Sequence, residues 1–228
     1  MSADDWVAAV RAALEPLAQP ADAPAMSAYM RNVAPFLGIR SPDRRRAVLR
    51  AVRGRPTPSV ESLREIALNL WAEPEREFHY AACDVLARFS TQLDESFLVD
   101  PTERLLTTAP WWDTVDSLGT AVVSPLTARF PSSITVMWRW CRSDDRWLIR
   151  AAIQHQRGRR EGTDIDLLTS MCALHAQDRE FFVAKAIGWA LRDASRWYPG
   201  DVRKFLDTHA GLTPVARREA ERGLARFG

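Results

Sequence analysis

Residues 181–195 read FFVAKAIGWALRDAS, and within them Phe182, Ala186, Ala190 and Ala194 recur at every fourth position. At 3.6 residues per turn, positions i and i+4 lie on one side of an α-helix, so this row predicts a helix with a small apolar face. Lys185, Trp189 and Arg192, continued by Arg196 just past the segment, form a second row. Working outward, Val60 to Trp71 and Glu75 to Phe89 repeat the three-and-four spacing of apolar residues. Asp164 to Ala176 and Asp201 to Thr208 read as helices capped by their leading aspartates. Ser41-Pro42, Thr57-Pro58, Ala109-Pro110 and Thr213-Pro214 place proline at or near a first helical turn. The nearest strand candidate, Ile134 to Trp138, follows Pro131-Ser132-Ser133, itself a helix-start signal. The chain reads as all-α.

The helices also repeat. Tyr80, Trp112, Trp147 and Phe182 stand 32, 35 and 35 residues apart, and each is expected to open a helix of similar composition. A period of about 35 residues with two helices per unit predicts an α-solenoid of antiparallel helical pairs, with the second helices side by side on a concave face. The expectation is one domain over residues 1–228.

Composition narrows the function. The 228 residues carry 31 basic and 29 acidic side chains, and Lys185 and Lys204 are the only lysines. The net charge of +2 conceals segregation. Residues 31–64 hold nine arginines against Asp43 and Glu61, a local +7, and residues 129–160 hold eight against Asp144 and Asp145, a local +6. Residues 65–128 hold eleven acids against three arginines, a local −8. A neutral sum therefore leaves room for a polyanionic partner. No apolar run approaches the ~20 residues of a membrane span. No basic start precedes an apolar stretch at the N-terminus, so a cytoplasmic protein is expected. Cys83, Cys141 and Cys172 are odd in number and widely spaced, which suggests reduced thiols.

Several constellations could carry chemistry. Trp112 and Asp116 share a helix face, whereas Asp113 belongs near the helix start, where its charge suits the dipole. Arg146, Arg150 and Gln154 form another row. Stripes mixing arginine with tryptophan, if exposed, suit a phosphate beside a sugar or ring. Arg44, Arg45 and Arg46 follow Pro42 near a helix start and, with Arg157, Arg159 and Arg160, could clamp phosphates. Core packing or solvated helix faces explain each of these residues singly. His79 and Cys83 have metal-ligand spacing, but core placement is the stronger reading, and no metal or other cofactor is expected. No Gly-x-Ser-x-Gly elbow, phosphate-cradling glycine loop or His-Glu-x-x-His motif occurs.

These strings are similar to those of one family. Met30 to Pro42 (MRNVAPFLGIRSP) with Arg44-Arg45, then Trp111 to Asp116 (WWDTVD), Trp147 to Ala152 and Ala186 to Arg192, resemble in order and spacing the motifs of the AlkD-type DNA alkylation repair glycosylases. The resemblance implies a solenoid of HEAT-like pairs that excises N3- and N7-alkylated purines from duplex DNA without flipping the base. By position it implies a catalytic cluster of Trp112, Asp116 and Trp189 with Arg150 beside it, Tyr29 near the lesion and Arg192 on the DNA. The full set of candidate DNA contacts is Tyr29, Arg31, Arg44, Arg45, Arg157, Arg159, Arg160, Lys185, Arg192 and Arg196. The partner implied is double-stranded DNA, with the protein as a monomer and no membrane. A non-catalytic DNA-structure binder and a protein-interaction scaffold are the alternative readings of the same helices.

Overall fold

The structure, a computed structural model, describes residues 2–227, and no strand occurs among them. The fold is helical, in two compact units, residues 1–126 and 127–228.

Unit 1 opens with α1 (Ala3–Leu14), capped reciprocally by Ser2 and Asp5, and α2 (Ala23–Tyr29). Then come α3 (Ser41–Val52), α4 (Val60–Trp71), α5 (Arg76–Arg88), α6 (Glu103–Thr107) and α7 (Trp112–Leu118). The pair α4–α5 packs together, α3 lies against α5, and α5 against α7. The second helices therefore stand side by side, as the repeat predicts. Pro42 occupies the first turn of α3, while Ser59, not the preceding proline, caps α4 by accepting the Ser62 N–H. After α7 the chain widens into a turn over Gly119–Val123, closed by Ser124 N–H to the Gly119 carbonyl. Such wide turns are frequent at functional sites. The unit boundary falls within α8 (Ser124–Arg129).

Unit 2 contains α9 (Ile134–Cys141), α10 (Arg146–Gln154), α11 (Ile165–Leu174), α12 (Phe181–Ala194), α13 (Pro199–Thr208) and α14 (Pro214–Phe227). α10, α12 and α14 line up side by side, with α11 packed on α10 and α12, and α13 on α12 and α14. The apolar row of the opening segment is the contact face: Ala186, Ala190 and Ala194 are buried with Ile153, Leu168, Leu206 and Ala216. Ile134 to Trp138 is helical, as its proline-serine start indicates. Asp164 caps α11 through the Leu167 N–H. Asp201, however, is not a cap. α13 begins at Pro199, and Asp201 sits inside its first turn, because the fixed φ of proline sets the start.

The aromatic repeat holds with one correction. Trp112, Trp147 and Phe182 stand in the first turns of α7, α10 and α12, but Tyr80 is the fifth residue of α5 rather than its opening. Trp147 and Phe182, one repeat apart, touch with ring centroids 4.8 Å apart. All three cysteines are buried and unlinked. No helix among the described residues is long and apolar enough to cross a membrane.

Candidate functional site

In unit 1 the site is built on α5, whose buried polar residues brace the loops around it. Glu77 is fully buried, and its carboxylate accepts the backbone N–H groups of Leu37, Gly38 and Ile39 at 2.9–3.0 Å. That grip fixes the 30–42 string, and the Arg76 N–H to the Pro35 carbonyl (2.9 Å) adds to it. Gly38 is required there: its φ is +86°, and a Cβ would meet the Gln19 carbonyl oxygen at 2.1 Å.

Arg76, also fully buried, holds the start of α7. It donates twice to Asp113 (Nη2–Oδ1 2.7 Å, Nε–Oδ2 3.0 Å), and also to Thr114 Oγ1 (2.9 Å) and the Ala109 carbonyl (2.8 Å). Ala109 has φ +46°, a strained value for alanine costing on the order of 1–2 kcal/mol. Arg76 and Trp71, whose indole N–H donates to the Thr108 carbonyl at 2.8 Å, hold the loop in that shape. The Tyr80 hydroxyl donates to Asp113. Burial, reinforced by the Asp113 carboxylate, pushes the Tyr80 phenol up, so it remains a neutral donor. Asp113 is thus more than a dipole partner at a helix start: it is the buried counter-charge that fixes the Trp-Trp-Asp turn. His79 stacks on Trp71 and lies within hydrogen-bond distance of Arg76 Nη1 and the Glu73 carbonyl (3.1 and 3.0 Å). Both ring nitrogens are occupied, so the histidine is a core residue rather than a metal ligand. Burial first, then the neighbouring Arg76, lower its pKa to about 4.

Above this frame lies a pocket of about 510 Å³ that includes Trp112, Asp116, Tyr80, Arg45 and Met30. Trp112 and Asp116 are half-buried, one turn apart on α7. Tyr29 is 73% exposed at the end of α2 and is not among the lining residues, although its neighbour Met30 is. Arg31 is exposed with φ +59°. Arg45 is exposed, with its Nε 3.9 Å from Asp84 Oδ1, whereas Arg44 is buried, donates to Asp84 Oδ2 (3.1 Å) and lies over the Tyr80 ring at 4.6 Å. The expected clamp of three adjacent arginines loses Arg44, which α3 turns inward against α5, while Arg46 is exposed and pairs with Asp43.

In unit 2 the expected exposed row on α10 is corrected as well. Trp147 to Gln154 are all buried, since α10 is wedged between α9 and α12 with α11 against it. Arg150 is 1% exposed and donates to the Phe182 carbonyl at 2.9 Å, so it positions its neighbours rather than facing a phosphate. Arg146 is exposed and pairs with Glu180 at 3.5 Å. Trp189, on α12, has three cations near its ring: Arg150, Arg157 and Lys185, at 5.1, 5.4 and 5.7 Å from the centroid. Arg157 and Arg160 are exposed. Arg159 is half-buried, donating to Thr127 Oγ1 at 2.5 Å, and burial holds its pKa below the ordinary arginine value. Lys185 and Arg192 are half-buried and share Glu219 of α14, while Arg196 is exposed.

Glu77, Arg76, Asp84 and Glu219 escaped the sequence reading. A signal was present: Arg76–Asp113, Arg44–Asp84 and Lys185–Glu219 are separated by 37, 40 and 34 residues, about one repeat. A cation and a carboxylate one period apart on neighbouring second helices meet across their contact.

Comparison with known proteins agrees with this architecture. A structure described as a predicted DNA alkylation repair enzyme from Enterococcus faecalis is 28% identical, covering 92% of this chain and 97% of its own, with a TM-score of 0.84. AlkD2 from Streptococcus mutans shares the fold at 16% identity and TM-score 0.55, covering 80% of this chain and 87% of its own. The smu.31 protein from Streptococcus mutans UA159 shares it at 16% and 0.59, with 80% and 90% covered. No curated protein sequence matches. The family described as "DNA alkylation repair enzyme" matches residues 10–224, nearly the whole length of both units, and the chain belongs to that family.

Proposed function

We propose that the protein is a DNA glycosylase that hydrolyses the N-glycosidic bond of cationic N3- and N7-alkylpurines in duplex DNA. The observation that carries this reading is the half-buried pair Trp112 and Asp116 on one face of α7, in a pocket whose floor is braced by Arg76 and Asp113. An alkylated purine already bears positive charge. When its bond to the sugar C1′ breaks, the electron pair passes into the ring and the base leaves neutral. No general acid is needed, unlike in glycosidases with their two carboxylates. The sugar becomes oxocarbenium-like, and the Asp116 carboxylate stabilises that charge, orients water toward C1′ and takes up the proton as the bond forms. Trp112 walls the sugar and excludes bulk water.

Trp189 and Arg150 of unit 2 are assigned to the same reaction, Trp189 against the nucleic acid and Arg150 as the positioning residue beneath it. Lys185, Arg157, Arg159, Arg160, Arg192 and Arg196 of unit 2 are assigned to the DNA backbone, and Tyr29, Arg31 and Arg45 of unit 1 to DNA contacts as well. The lesion stays in the stack, and the protein acts as a monomer in the cytoplasm. Incubation with duplex DNA containing 7-methylguanine tests the proposal. Free 7-methylguanine accumulating with time is expected. Duplex binding without base release would replace the reading with a non-catalytic DNA binder, and absence of duplex binding would replace it with a protein scaffold.

A further inference from the structure

Within unit 2, α12 and α14 approach closely because each presents a glycine to the other. A Cβ on Gly188 would meet the Glu219 Cβ at 2.7 Å, and one on Gly223 would meet Ser195 Oγ at 2.1 Å and the Arg192 Cα at 2.9 Å. Glu219 lies in this contact, 4% exposed, and accepts from Lys185 (3.0 Å), Arg192 (2.7 Å) and Arg222 (3.1 Å). One buried carboxylate thus orients three cations from two helices. Burial alone would raise its pKa, but Lys185, Arg192 and Arg222 outweigh that and hold it below the usual glutamate value.

The pocket beside this anchor, about 460 Å³, is lined by Arg157, Arg192, Arg196, Arg222 and Arg226 with Trp189 and Phe227. Asp193 also lines it, but that carboxylate already accepts the Gly158 N–H at 2.7 Å. Among the described residues, Arg157, Arg196 and Arg226 pair with no carboxylate. Arg196 and Arg226 lie against the Phe227 ring at 5.6 and 5.1 Å from its centroid, and Arg157 lies against Trp189. Glu219 balances Arg192 and Arg222 in part and Asp193 adds one negative charge, but Arg157, Arg196 and Arg226 leave the pocket with an excess of guanidiniums, which suits an oxyanion bound by bidentate donation. A cationic base is repelled here; a phosphate is drawn in.

We propose that this pocket is a backbone-phosphate subsite, in which Arg222 and Arg226 of the last helix, with Arg196, grip the DNA strand while Glu219 orients the cluster. The proposal rests on the DNA-binding part of the function above and is independent of base release. The test uses the full chain and a labelled, undamaged 15-base-pair duplex, with affinity measured across a sodium chloride series. Replacing both residues (Arg222→Ala with Arg226→Ala) is expected to weaken binding about tenfold at ~0.1 M salt and to make the log–log salt slope shallower by about 1 to 2. Because Arg222 also partners Glu219, Arg226→Glu alone is the second variant, with thermal unfolding as the folding control. It should weaken binding at least as much. Salt slopes matching the wild type in both variants overturn the subsite. A salt-insensitive wild type overturns the subsite and the DNA reading together. A steep wild-type slope that both variants reduce, without base release from alkylated duplex, upholds the subsite and overturns only the glycosylase reading.

Discussion

The two units place a tryptophan in opposite electrostatic settings. In unit 1, Trp112 shares its pocket with three carboxylates, Asp84, Asp113 and Asp116, against two guanidiniums, Arg44 and Arg45, whereas in unit 2 Trp189 has Arg150, Arg157 and Lys185 around its ring. The same kind of helix row therefore serves opposite charges: the carboxylate side suits a developing cation, and the guanidinium side suits phosphate. The difference arises below the surface. In unit 1 the buried bidentate ion pair, Arg76–Asp113, locks the helix start, and Arg44 is drawn inward by Asp84. In unit 2 a single buried acid, Glu219, leaves an excess of cations at the surface.

Acid should strain both units, and it gives the largest expected effect. His79 in unit 1 and His155 in unit 2 are buried, and burial holds each at about 4 against an ordinary 6.5. The unfolded chain takes up both protons near pH 6.5, the folded chain only near pH 4, so stability falls as pH drops through that window. The loss is about 3 kcal/mol per histidine by pH 4. Urea unfolding at pH 7 and pH 4.5 checks this, and His79→Gln should flatten about half of the dependence. An unchanged pH profile in that variant would remove His79 from the account.

Next in size is the frame of unit 1. Arg76→Ala leaves Asp113 buried and unpaired, and should cost about 3–5 kcal/mol of stability. Arg146→Ala, on the surface of unit 2, should cost under about 1 kcal/mol. Equal losses in chemical denaturation would erase the contrast between a buried and an exposed arginine. Smaller still is the effect expected at the phosphate side. Arg192→Ala should weaken duplex binding and any base release together, by about tenfold or less, whereas Trp189→Ala should impair release more than binding. Parallel effects from the two changes would show that Trp189 contributes only affinity.

The helices were legible because their periodicity is local. Val60 to Trp71 matches α4, and the 181–195 segment extends α12 by a single residue. The site was half legible. The rows placed Trp112 with Asp116 on one face of α7, and Trp189 with Lys185 on one face of α12, but a face does not reveal its neighbour. Arg150 and Arg44 look like surface cations until α12 and α5 are packed against them. Likewise the local −8 of residues 65–128 does not tell which acids are buried: Glu77 and Asp113 are, taken up by backbone N–H groups and by Arg76. Such pairings depend on contacts one repeat away, which periodicity within a helix does not encode.

The division of labour between the two pockets is tested most directly by Asp116→Asn, with two readouts on the same preparation. Single-turnover release of 7-methylguanine from duplex DNA should fall by about 10²- to 10³-fold, a loss of ~3 kcal/mol of transition-state stabilisation. The salt slope for undamaged duplex should stay at its wild-type value. Release retained at the wild-type rate, or a slope that changes as much as in the α14 arginine variants, would contradict the account.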